Sequence, residues 1–321
     1  MTKYIYLDQN HWINLAKAFL GKNDAYKEVV EKVIEKSESG EWIFPLSIIH
    51  IMETESRFDD RSRIELSKFM SKISRNYSIV PSIYTDKFEL RNSIAAAHGM
   101  PIVNMREEVI KKDFLRVVGL DGANFKINGN IKPEEKEKLQ QFLVKKLETE
   151  PILEKLMSIP QDKKRIEQTI QDMTTPIEEY EKLRSELMKV PKEHREKVFI
   201  ADSFINSHGE ELMRIFEESG KTKETFLPDK IFDSPESIMK FLESTPSLNV
   251  RTKLVFSILT EIGRGFDRND YKDICFLSTA VPYCDIVLTE RLWVHYLSQW
   301  GLDEEYNVKL SKDLNFLLEE D

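Results

Sequence analysis

Cysteine is scarce in this chain: Cys275 and Cys284 are its two copies in 321 residues. That excludes a disulfide framework and a cysteine-rich zinc site. Both sit in apolar stretches that suit small buried hydrophobes. Glycine and proline are also few, eleven and twelve, which favours a helix-rich protein over a β-sandwich. No apolar run approaches the ~18 residues of a membrane-spanning helix, so none is expected and no membrane partner either. A basic balance is missing too. Lys and Arg number 47 against 56 Asp and Glu, giving a net charge of −9. A protein that coats nucleic acid would be basic, so any polyanion is expected to be held locally. Acids gathered around a cation remain compatible with this, because the bound ion restores positive potential. The opening MTKYIYLDQN has no basic region followed by an apolar core. No leader is expected there, and the compartment is read as the cytoplasm.

What is present is enough apolar sequence for a core, 40%, beside 32% charged residues. The length suggests one large domain with an insertion, or two domains. Residues 3–8 (KYIYLD) read as a buried strand. Asn10 is placed to cap a helix over 11–20, with Trp12, Ile13, Leu15 and Ala16 on one face. A helix over 24–37 ends at Gly40. Trp42 to Leu46 reads as a second strand, and Ser47 caps a helix carrying His50, Glu53 and Arg57 along one face. This order is what a doubly wound parallel sheet requires. From 59 to 265 helical patterns dominate, among them 60–75, 84–97, 104–118, 133–148, 161–173 and 193–217, with only Ser78–Pro81 strand-like. After 265 an α/β texture returns. Asp270 or Asp273 opens a helix that Pro282 ends. Ile286–Thr289 is a strand, 291–299 a helix, and Tyr306–Leu310 a last edge strand before an acidic tail.

The acids fall at telling places in this pattern. Asp8 ends the first strand, Glu53 lies six residues after Ser47, and Glu290 follows the apolar IVLT. A carboxylate at the C-terminal edge of a parallel strand faces the crevice where open α/β sheets bind ligands. Several converging there would hold a hard divalent cation, Mg²⁺ or Mn²⁺. Glu55 competes with Glu53 but is turned about 200° away on a helix. Asp285 lies at the other end of its strand and is expected to be structural. Bland readings exist for each acid: a helix cap for Asp8, a solvated face for Glu53, a helix-dipole partner for Asp273.

YLDQN, the acid in SIIHIMETE, the Asp273-to-Ala280 spacing in DICFLSTA and the strand ending in LTE resemble the PIN-domain nucleases, which include the VapC-type toxins. The match covers roughly 1–58 and 266–300. The resemblance implies a PIN-like α/β fold, with 1–58 and 266–321 as two halves of one domain and 59–265 as a helical insertion. It implies Asp8, Glu53, Asp273 and Glu290 as catalytic metal ligands for Mg²⁺ or Mn²⁺, with Asp270 as a further candidate. Asn10, His50 and Arg57 would support them from behind. Many family members place the last acid one position later, where this chain has Arg291. The implied chemistry is metal-assisted hydrolysis of phosphodiesters, of RNA before DNA. Arg57, Arg264, Arg268 and Arg291 are candidate phosphate contacts. Such a nuclease would need restraint, so the expectation extends to a toxin or defence effector with an inhibitory or activating protein partner, or a homo-oligomer. The competing expectation is a degenerate PIN-like scaffold that binds nucleic acid or a protein. A haloacid-dehalogenase-type phosphatase would need an acid where Asn10 stands. No glycine-rich phosphate loop and no G-x-S-x-G elbow occurs.

Overall fold

The run KYIYL forms β1 (Lys3–Leu7) because alternate residues have a buried place on each side: Ile5, Tyr6 and Leu7 are all fully buried. This computed structural model describes residues 2–119, 132–161, 164, 168, 174–219 and 234–321. β1 pairs in parallel with β2 (Trp42–Ile43) on one side and with β5 (Ile286–Leu288) on the other. β5 in turn pairs in parallel with β6 (Lys309–Ser311), so the sheet order is β2-β1-β5-β6. The protein is therefore mixed α/β around a four-stranded parallel sheet, as the sequence order led one to expect. Ladder pairing of β2 stops at Ile43, short of Pro45, which has no N–H to give. Beyond the proline Leu46 bridges Ser78 in parallel, and β3 (Ser78–Ile79) pairs antiparallel with β4 (Ile110–Lys111).

The chain divides into two compact units. The first comprises residues 1–81, 109–166 and 283–321; the second comprises 82–108 and 167–282. These limits differ from the expected 58/59 and 265/266. The helix α4 (Asp60–Ser74) is the reason at the first limit. Its Leu66, Phe69, Met70 and Ile73 are buried in the same core as Ile5 and Leu7 of β1 and Ile286 and Leu288 of β5. Trp12 of α1 (Gln9–Phe19) and Val29, Val30 and Val33 of α2 (Lys27–Ser39) complete that layer. Burying each such side chain contributes about 1.5–3 kcal/mol. Gly40 ends α2 at φ 78°, a left-handed conformation that glycine adopts without a Cβ clash. The second unit is helical, built from Ser82–Ala97, Thr174–Leu187, Lys192–Ser219, Pro235–Glu243, Pro246–Thr260 and most of Arg268–Tyr283.

Several local expectations change. The helix α1 begins at Gln9 rather than residue 11, and Asp8, not Asn10, is its cap, accepting from the Asn10 N–H at 3.3 Å. The helix α3 (Ile48–Glu55) ends before Arg57, which therefore does not share its face. The stretch 104–118 is broken into a short helix Met105–Val109, β4 and a 3₁₀ turn Phe114–Val118. Val109 and Ile110 are buried, so pairing with β3 outweighs helical spacing there. Pro282 does not end its helix, which runs on to Tyr283. The last strand is Lys309–Ser311, and the acidic tail is no solvated end: Leu317 is fully buried and Glu320 nearly so. The expected helix at 161–173 lies largely outside the described residues.

Candidate acid site at the sheet switch point

From β1 the chain passes to β2 on one side, while β5, on the other side, arrives from the far end of the sequence. The C-terminal ends of β1 and β5 therefore form a topological switch point, where open α/β sheets leave a ligand crevice. Asp8 follows β1 directly, and Glu290 follows β5 after Thr289. Asp8 is buried, 6% exposed, and its N–H donates to the Leu288 carbonyl at 2.9 Å, tying the two strand ends together. Glu290 is exposed and caps the helix Arg291–Gln299 without a side-chain bond to it. The Asn10 amide instead donates to Glu290 Oε1 at 3.3 Å. Glu53 lies half-buried on α3, which follows the second strand.

Burial pushes the Asp8 carboxyl up to about 6, and the negative charges of Glu53 and Glu290 push the same way, against hydrogen bonds from the Asn10 and Gln9 backbone. The first unit thus brings Asp8, Glu53 and Glu290 within electrostatic reach of one another. A buried acid repelled by two neighbours is unfavourable for folding and suited to a cation.

The scaffold behind Asp8 was only partly legible. Ser47 caps α3 as expected, but its capping partner is His50. The Ser47 N–H donates to His50 Nδ1 at 3.0 Å, and His50 Nε2 lies 2.8 Å from the Leu7 carbonyl. These two bonds require a neutral ring with its proton on Nε2. Burial agrees, holding His50 down at about 4 despite the bond to Leu7. The ring stacks on Tyr6 at 4.9 Å, and the Tyr6 hydroxyl meets Ser47 Oγ at 2.7 Å. His50 therefore clasps the end of β1 to the start of α3, with both nitrogens engaged by backbone. Gln9 and Thr54 were not singled out in the sequence. Gln9 Nε2 donates to Thr54 Oγ1 at 3.0 Å in the buried interior, joining the residue after Asp8 to the residue after Glu53. Their adjacency to the two acids was the available signal.

Arg57 bonds Ser62 through its guanidinium, at 2.8 Å from Nη2. Asp270 and Asp273 belong to the second unit. Asp270 is in the first turn of Arg268–Tyr283 and is buried. Its carboxylate pairs with Arg264 and accepts the Asp267 N–H at 3.0 Å. These bonds lock the helix start, the capping role rather than the ligand role. Asp273 does not open the helix; it is the sixth residue and half-buried. Asp285 accepts the Tyr4 N–H at 2.7 Å, the structural part expected of it.

A divalent cation suits the kind of donors here. The Asp8 carboxylate accepts from the Asn10 and Gln9 backbone, the Asn10 bond a long 3.3 Å, and the buried Thr289 hydroxyl on the same rim meets no partner among the described residues. The side chains do not close on one point, however. Among the described residues no three of His, Cys, Asp or Glu form a group able to hold an ion as they stand. Comparison with protein-family models, curated proteins and solved structures gives no match. No helix among the described residues is long and apolar enough to cross a membrane.

Proposed function

We propose that the chain is a divalent-metal-dependent nuclease, with Asp8, Glu53 and Glu290 as acids of its site and RNA as its preferred substrate. The observation that supports this most is the buried Asp8 at the switch point, its carboxyl raised by burial and by two further acids. When bound, Mg²⁺ or Mn²⁺ supplies an electrophile for the phosphodiester and lowers the pKa of an attacking water. The residues of the chain do the rest. Asp8 offers a fixed, poorly solvated charge. Glu290, bonded by Asn10, and Glu53, on the Ser47-capped helix, add two more carboxylates. His50 fixes the β1 end from which Asp8 projects. Asp273 belongs to the second unit and is not part of this proposed site; a PIN-like fold enters the proposal on the resemblance together with the parallel sheet. A toxin or defence role, held in check by a partner protein, is part of the same proposal. Growth of cells expressing the chain alone reads it out: toxicity lost in Asp8→Asn supports it.

The last acid stands at Glu290, one position before the place where many PIN-domain proteins carry it, and this favours a second reading, a scaffold that binds nucleic acid without cutting it. One experiment separates the two. Purified protein is incubated with mixed RNA and DNA, with and without Mn²⁺, beside Asp8→Asn. Metal-dependent cleavage lost in the variant supports the nuclease; binding without cleavage in either protein supports the scaffold.

A further inference from the structure

The second unit contains a cavity of about 480 Å³ walled by four of its helices. That volume is in the range of small-molecule sites. Three aromatic rings line it: Tyr180, Phe199 and Tyr271. Two of them are braced from behind. Tyr180 packs on Phe266 with ring centroids 4.5 Å apart, and Phe199 on Phe256 at 5.6 Å. Fixed rings lose little freedom when a flat ligand stacks on them.

The polar groups narrow the ligand further. Among the described residues lining the cavity Arg251 is the one cation. Its guanidinium pairs with Asp86 at 2.7 Å, and Asp86 is 4% exposed. Asp86 does not itself line the cavity; it holds Arg251, and its Oδ1 meets no hydrogen-bond donor among the described residues. Glu179 and Asp202, both exposed, add negative charge at the wall. The lining thus has aromatic faces, guanidinium and phenol donors and carboxylate acceptors, but no surplus of positive charge. Burial holds the phenols of Tyr180 and Tyr271 above their usual range, so both remain donors at neutral pH.

The geometry points to a second ligand site: this cavity takes a nucleobase, as a free nucleoside without phosphate, stacked on the aromatic wall and hydrogen-bonded by Arg251. A nucleobase is flat and uncharged. Its carbonyl or ring nitrogen accepts from a guanidinium, and its amino group donates to a carboxylate. A phosphate would meet an already neutralised arginine and two further acids, which disfavours it. The site owes nothing to the acids of the first unit and stands whether or not those cleave nucleic acid.

The test is calorimetric titration of the full chain with adenosine, guanosine, cytidine and uridine. Parallel arms use the matching nucleoside triphosphates, inorganic phosphate and a short single-stranded oligonucleotide. At least one nucleoside is expected to bind saturably, one per chain, with its triphosphate weaker. Val255→Trp, which fills the cavity, is expected to weaken binding by about tenfold or more. If that variant does not fold, the exposed Asp202→Lys replaces it, and it must shift preference toward the phosphorylated form. Asp8→Asn must keep nucleoside binding, which separates this site from the proposed nuclease centre. Failure of all four nucleosides to bind at millimolar concentration overturns the inference. So does binding of the triphosphate, phosphate or oligonucleotide in preference to every nucleoside, or unchanged binding to a folded Val255→Trp.

Discussion

His50 Nε2 donates to the Leu7 carbonyl at 2.8 Å while His50 Nδ1 accepts the Ser47 N–H at 3.0 Å, so one neutral ring joins the last residue of β1 to the cap of α3. Both partners are buried backbone groups with few alternatives. His50→Ala would leave both unmet and open a cavity beneath Tyr6. It is expected to lower unfolding free energy by about 2–4 kcal/mol, read by urea denaturation at neutral pH. The loss should shrink in acid. The ring titrates near 4 when folded against an ordinary 6.5. Its contribution is therefore complete above pH ~6.5 and disappears as pH falls through 4, a change on the order of 3 kcal/mol.

Asp8 acts with the opposite sign in the same window. Its folded carboxyl titrates near 6, above the ordinary 3.8. The folded state therefore holds the proton more tightly, and this stabilisation, complete below pH ~3.8, is lost as pH rises through 6. At pH 7.5 the ionised Asp8 is a burden of up to about 3 kcal/mol. Asp8→Asn should then be more stable than wild type at pH 7.5 without metal, and equal to it near pH 4. Millimolar Mn²⁺ should raise the melting temperature of wild type and leave the variant unmoved. A variant less stable than wild type at pH 7.5 would contradict the burial argument; equal metal responses would contradict the site.

Much of this was legible where local chemistry decides. KYIYL, the Ser47 cap and Gly40 after α2 need only alternation, a hydroxyl and a residue free of Cβ, and each element stands close to its expected bounds. Asp8 and Glu290 could be placed at strand ends for the same reason. Illegible features depend on partners distant in sequence. Helical spacing in 104–118 lost to pairing with Ser78 and Ile79, and α4 joined the sheet unit because its apolar face matches a core built from both chain ends. His50 reads in sequence as a helix histidine near an acid. Only Leu7, 43 residues earlier, reveals that it serves the backbone. Asp270 similarly resembles a ligand until Arg264 and the Asp267 N–H are seen to occupy it.

Gln9 and Thr54 offer a test of how the two acid-bearing elements are held. Their hydrogen bond is buried, and Gln9 Oε1 already lacks a partner among the described residues. Thr54→Val would strand the Gln9 amide as well and is expected to cost about 1–3 kcal/mol. Replacing both, as Gln9→Met with Thr54→Val, removes the polar groups together and should cost less than the sum of the single changes. The coupling is expected at about 0.5–3 kcal/mol in a double-mutant cycle by urea denaturation. Strict additivity would show that the bond does not join α1 to α3 in solution.

Asn10 separates a supporting role in chemistry from one in folding. Its amide reaches Glu290 Oε1 at 3.3 Å on an exposed rim, and the cap of α1 is Asp8 rather than Asn10. Truncation should therefore leave stability within about 0.5 kcal/mol of wild type. If Glu290 is a metal ligand, losing the group that orients it should weaken Mn²⁺ binding or cleavage by about 10–100-fold. Asn10→Ala is measured by thermal melting, Mn²⁺ titration and cleavage rate, beside Glu290→Gln. A fall in metal response without a fall in stability places Asn10 behind the ligand. A fall in stability alone would assign it to the helix start, and wild-type behaviour in all three would remove the Asn10–Glu290 contact from the mechanism.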